Sequence, residues 1–248
     1  MKIKCFLLSL LATILTANAS TEINYIVIQD QAQPFQNHVN QKEHSGIVTD
    51  IVKQIFDGAD YDLKIHTLPF NRMIKMLEQD KYKNWITFGS PNWPGVQSLN
   101  LSAHPIFEVK HGFLTTKQRQ PITSAKDLFG QTVILLHGFN YPGLDEHIAS
   151  KKVKSISVKN YPAAFKVVNR FADKAGFVEM DIRIKYNLKK EGVDISDYTI
   201  HDFSGVISNY HLHLAMSGNF DESAQQHVNK RLAELQNDGS LAAIIAAY

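Results

Sequence analysis

His111-Gly112-Phe113-Leu114-Thr115-Thr116 and, far downstream, His211-Leu212-His213-Leu214-Ala215-Met216 decide the fold. Each is an extended run standing outside the regular alternation of strand and helix patterns. Before the first lie Tyr25–Ile28, Leu63–His66 and Trp85–Phe88, short apolar stretches that read as strands. Between them come helix-period segments. Gly46–Phe56 carries Ile47, Ile51, Val52 and Ile55 on one face, and Asn71–Leu77 carries Met73, Ile74 and Leu77. Past Thr116 a polar stretch with Pro121 leads into a second set. Its strands are Thr132–Leu136, Ser155–Val158 and Gly176–Glu179; its helices are one opened by Pro142 and one over Ala163–Ala172. After the second run come two closing helices, Asp221–Leu235 and Leu241–Ala247.

Alternating strands and helices predict an α/β chain. Two such units joined by two extended crossings predict a hinge with a cleft beneath it, where small ligands bind. The chain leaves the first unit near Phe113 and returns near His211.

The rest of the sequence narrows the class. Lys2 and Lys4, an apolar run from Cys5 to Leu15, and Ala17-Asn18-Ala19 read as a cleaved export signal over residues 1–19. That run is shorter than the ~20 residues a membrane-spanning helix needs. The chain has 26 Lys+Arg against 24 Asp+Glu, and losing Lys2 and Lys4 leaves 24 of each. No basic excess then points to nucleic acid. The single cysteine, Cys5, lies inside the signal, so the mature chain relies on its core without disulfides.

Several short segments, in order, resemble the extracellular solute-binding proteins of family 3. Pro34-Phe35 follows the first strand, and Gly46 with Asp50 opens the first helix. Leu101-Ser102 precedes Pro105-Ile106-Phe107, Asp127-Leu128-Phe129-Gly130-Gln131-Thr132-Val133 follows, and His137-Gly138 sits where the family has a Gly-Thr or Gly-Ser pair. The close, with Leu232, Leu235, Asp238-Gly239 and Tyr248, matches the family's last helix and tail. The resemblance implies a two-lobed type II periplasmic-binding-protein fold, each lobe a mixed sheet flanked by helices. Lobe 1 would be 20–112 plus 212–248 and lobe 2 would be 113–211, with hinge segments near 111–116 and 210–216. It also implies a periplasmic, monomeric receptor that works with an ABC permease or a membrane sensor, without cofactor. A few proteins of this fold are cleft enzymes; here Glu179 and His137 would be the proton-transfer groups.

The sequence departs from amino-acid-binding relatives at both anchors. The loop Gly89–Gln97 holds no Arg for an α-carboxylate, and Met180 falls where the resemblance implies an Asp for an α-amino group. Trp93 occupies that loop instead, either as a flat platform for a solute or as a cap on the sheet edge. The other candidates each have a bland alternative. Phe35 is an aromatic over the ligand or a core residue. Arg72 is a carboxylate fork or a solvated cation. His137 and Tyr141, before a helix start at Pro142, are polar contacts for an anionic group or loop structure. Glu179 holds an amine, with Asp181 projecting to the same side or capping the next helix. No metal set or catalytic signature accompanies them: His211 and His213 share a side but have no further ligands at a recognisable spacing.

Overall fold

The computed structural model describes residues 20–248 apart from 31, 41, 42 and 140. The export signal expected over residues 1–19 therefore lies outside the described residues. In chain order the elements are β1 (Thr21–Ile28), β2 (Asn37–Asn40), β3 (Glu43–Ser45), α1 (Ile47–Phe56), β4 (Tyr61–Leu68), α2 (Phe70–Glu78), β5 (Trp85–Gly89) and β6 (Phe107–Val109). Then come β7 (His111–Thr115), β8 (Thr132–Leu136), α3 (Asp145–Ala149), β9 (Lys154–Val158), α4 (Tyr161–Phe171), β10 (Ala175–Met180) and α5 (Asp181–Lys190). The chain closes with β11 (Thr199–Asp202), β12 (Tyr210–Met216), α6 (Glu222–Asn237) and α7 (Ser240–Ala246).

Two five-stranded sheets result, one per lobe. Lobe 1 has the order β4-β1-β5-β12-β6, and lobe 2 the order β11-β7-β10-β8-β9. β1 runs parallel to both β4 and β5, and its last six residues are buried because helices cover both faces. That is why its apolar run is continuous rather than alternating. In each lobe the strand of the extended run lies antiparallel to its neighbours: β12 against β5 and β6, β7 against β10 and β11. The sheet changes from β6 to β7 across Lys110 alone, and changes back between Asp202 and Tyr210.

Helix starts follow local chemistry. α4 begins at Tyr161, before the apolar pattern does, because the Asn160 side chain accepts from the Ala163 N–H at 3.0 Å and Pro162 sits in the first turn. Asp221 caps α6 in the same way, through the Ala224 N–H at 2.9 Å. The helix expected directly after Pro142 instead begins at Asp145, lasts five residues and buries none. The amphipathic face of α1 is as the spacing predicts, with Ile47, Ile51, Val52 and Ile55 all buried.

Lobe 1 has one continuous core, while lobe 2 has one on each face of its sheet. The C-terminus is tied back into lobe 1: the Tyr248 hydroxyl donates to Asp50 at 2.6 Å and accepts from the Gly46 N–H at 2.7 Å, at the start of α1. The lobes also touch directly through α5. Lys190 donates to Gln33 Oε1 at 2.7 Å, and Met180 and Ile182 pack against the lobe 1 core.

Candidate functional site

Each lobe has parallel strands, and ligand loops collect at the C-terminal ends of such strands in open α/β sheets. From lobe 1 come the loop after β4, opening α2, and the loop after β5. From lobe 2 come the loops after β8 and β9 and the β10–α5 junction. The two crossings join the lobes.

Gly89 sets the shape of the β5 loop. A Cβ there would lie 1.8 Å from the Gln97 carbonyl oxygen, and Gln97 is itself held by its side-chain bond to the Phe88 carbonyl at 2.8 Å. The loop is thus folded back tightly enough that only glycine fits at its start. Trp93, half-buried, meets Phe88 edge-on at 5.8 Å and Tyr210 edge-on at 6.3 Å. Tyr210 opens β12, and its ring lies 5.9 Å from that of His111, the first residue of β7. A line of rings therefore runs from the loop that turns on Pro91 and Pro94 to both crossings. Burial pushes the Tyr210 phenol up to about 12, with Trp93 partly offsetting the shift. Burial likewise pulls His111 below its ordinary value, against the upward pull of Glu179.

Glu179 is 4% exposed at the end of β10 and fully engaged. It accepts from the Tyr161 hydroxyl at 3.0 Å and from the Met180 N–H at 2.8 Å, and pairs with Arg183 at 3.8 Å. Arg183 lies one turn along α5, with its guanidinium 5.1 Å from the Phe139 ring and 5.6 Å from the Tyr161 ring. Burial pulls the guanidinium down, but Glu179, Tyr161 and Tyr141 together outweigh it, so its pKa is raised. Burial and the adjacent Glu179 together hold the Tyr161 phenol well above its ordinary value. This is an internally balanced cluster: a carboxylate, a guanidinium and two rings, all from lobe 2.

The other predicted residues are distributed less tightly. Phe35 is buried in the lobe 1 core, 5.7 Å from both Phe88 and Phe107. Tyr141 is buried in lobe 2, its hydroxyl accepting from the Leu136 N–H at 2.9 Å; burial and then Glu179 raise its pKa. His137 is exposed on the rim of lobe 2, its ring 3.4 Å from the Ser157 hydroxyl. Arg72 is exposed in the first turn of α2, beside a groove of about 360 Å³ lined by Gln29, Asp30 and Phe70. Glu179 thus lies near Tyr141, and Trp93 reaches Tyr210, while Arg72 on lobe 1 and His137 on lobe 2 are exposed. Asp181 does not share a strand face with Glu179, because β10 ends at Met180; it opens α5 and pairs with Lys185 at 2.8 Å.

Sequence reasoning missed Tyr161, Arg183, Tyr210, Phe70 and Phe139. Phe70 and Phe139, 40% and 42% exposed, carry the clearest signal in retrospect: both are large apolar residues left exposed, the first opening α2 and the second in the loop after β8. No cluster of potential metal ligands exists among the described residues.

Residues 25–248 match the sequence pattern of the bacterial extracellular solute-binding proteins, family 3. The chain belongs to that family. No curated protein sequence matches this family 3 member. Solved structures do. The periplasmic VFT2 domain of Bordetella pertussis BvgS superposes with a TM-score of 0.63 at 18% identity, covering 92% of this chain and 93% of its own. The substrate-binding protein of an amino acid ABC transporter gives 0.62 at 20% identity, over 92% and 98%. A histidine kinase sensor domain similar to periplasmic binding proteins gives 0.65 at 15% identity, over 93% and 96%. At these identities the likeness is one of fold, and it is the two-lobed type II arrangement.

Proposed function

We propose that this family 3 protein is a periplasmic, monomeric receptor that captures a small, ring-bearing solute by closing its two lobes around it. The observation that carries the reading is the line Trp93–Tyr210–His111, which couples the loop on the lobe 1 wall to both crossings. A solute stacked on the indole would bias the hinge through direct ring contacts. Phe70 and Phe139 supply further apolar area on opposite walls, and the exposed guanidinium of Arg72 suits a carboxylate.

The state of Glu179 argues against a cationic or α-amino solute. An incoming ammonium would have to displace Tyr161 and compete with Arg183 for a carboxylate that is already satisfied. A planar carboxylic acid without an amine fits the walls better. Thermal-shift screening of residues 20–248 against aromatic and heteroaromatic acids, with matched amino acids as controls, tests this. The acids should raise the melting temperature, and Trp93→Ala should abolish the rise while the protein stays folded. A panel in which only amino acids stabilise the protein would refute the solute class.

The likeness to the BvgS domain and the kinase sensor domain supports a second reading, in which the loaded receptor reports to a membrane signalling protein rather than to an ABC permease. Deleting the gene separates the two. Loss of uptake of the stabilising compound supports transport; intact uptake with a lost transcriptional response to it supports sensing.

A further inference from the structure

Away from the interlobe gap, a cavity of about 490 Å³ lies on the side of lobe 2 between residues 118–123 and 201–205. Arg119 lines it. The guanidinium lies 4.8 Å from the Phe113 ring and donates from one terminal nitrogen to Gln131 Oε1 at 2.7 Å. Its Nε is buried and has no hydrogen-bond partner. Among the described residues no carboxylate lies within ion-pair distance of this Arg.

The neighbouring acids are turned to other partners. Asp127 accepts from the Thr123 N–H and hydroxyl and from the Ser124 N–H, at 2.8–3.0 Å. Asp202, on the cavity wall, accepts from the Ser204 N–H at 3.1 Å and hydroxyl at 2.6 Å. His201 is anchored through Nε2 to the Thr115 hydroxyl at 2.8 Å and the Lys117 carbonyl at 3.2 Å; a carbonyl only accepts, so Nε2 carries the proton. Gly205 packs so closely on Thr123 that a Cβ would come within 2.3 Å of its carbonyl oxygen, which fixes the two walls against each other. Pro121 and Ile122 add an apolar flank.

Among the described residues Arg119 is the only Lys or Arg lining the cavity, and no carboxylate on its walls neutralises it. The guanidinium fork matches an oxyanion in geometry as well as charge. We propose that this cavity is a second binding site, separate from the interlobe gap, for a small molecule with an oxyanion held by Arg119 and a short hydrocarbon body against Pro121 and Ile122. Nothing in this assignment depends on what the interlobe gap binds.

The test is a two-dimensional NMR titration of residues 20–248 with sodium butyrate and, separately, inorganic phosphate. The Arg119 Nε–H signal and the amides of 117–124 and 199–205 are expected to shift saturably with at least one of them. Butyrate alone acting assigns a carboxylate site, and phosphate alone or both assigns a general oxyanion site. Arg119→Gln should weaken binding roughly 10- to 100-fold, as loss of a hydrogen bond to a charged group does, while Arg72→Gln should leave it unchanged. Should Arg119→Gln fail to fold, the Nε–H shift in the native protein still decides. No saturable shift with either probe, or shifts confined to the loops after β4, β5 and β8, would overturn the proposal.

Discussion

Replacing Glu179 with Gln puts the buried cluster of lobe 2 under a direct load. The Glu179–Arg183 pair is separated by 3.8 Å with both side chains 5% exposed. At an effective dielectric near 20, two charges at that distance attract by about 4 kcal/mol. Gln keeps an acceptor for the Tyr161 hydroxyl and removes the carboxylate's own burial penalty, so part of the loss is recovered. It leaves a buried guanidinium facing a neutral amide. The expected net cost is about 3 kcal/mol, at the low end for breaking one side of a buried pair. In a domain of this size that lowers the melting temperature by roughly 6–12 °C. Urea unfolding of residues 20–248 measures it, with Arg183→Met added as the second arm: removing both charges should recover most of the loss. If Glu179→Gln unfolds within ~1 kcal/mol of the parent, the pair behaves as a solvent-screened one and the reasoning fails.

Other consequences are nearer the surface. Tyr248→Phe removes the bonds to Asp50 and the Gly46 N–H and should cost about 1.5 kcal/mol in the same assay; an unchanged midpoint would mean the tail does not brace α1. Gly89→Ala places a methyl 1.8 Å from the Gln97 carbonyl, so the loop carrying Trp93 cannot close; soluble protein with native near-UV dichroism would contradict that. His44, His66, His111 and His201 are all held below 6.5, chiefly by burial. Because their folded pKa is depressed, the stability they contribute is complete above 6.5 and is lost as the pH falls through their folded values. The aspartates with lowered pKa, such as Asp127 and Asp202, lose theirs only below 3.8. Urea midpoints should therefore drop between about pH 7 and about pH 5, and a flat profile would show that these rings are not held neutral by the fold.

Much of the scaffold was legible because its signals are local. The spacing of Ile47, Ile51, Val52 and Ile55 is sufficient for α1, and Thr132–Leu136 is read without error as β8. The edge strand β11, Thr199–Asp202, was not, since one apolar residue among polar ones carries no alternation worth reading. The site was legible only in part. Trp93 stood out because its loop lacks the expected Arg, yet its contact with Tyr210 joins residues far apart in the chain. Glu179 and Arg183 are four apart, but the first closes a strand and the second lies in a helix, so neither period links them. Phe35 and Tyr141 illustrate the opposite limit. Resemblance locates an aromatic near the gap, while burial depends on what packs behind it: Phe88 and Phe107 in one case, the Leu136 N–H in the other.

The central claim is that a solute sits against Trp93 between the lobes. The chain has two tryptophans, so Trp85→Phe leaves a single indole to report. Titrating that variant with an acid that stabilises the parent should change the emission of Trp93 saturably, with the same affinity that calorimetry gives. Saturable binding with emission that never moves would place the solute elsewhere and contradict the account.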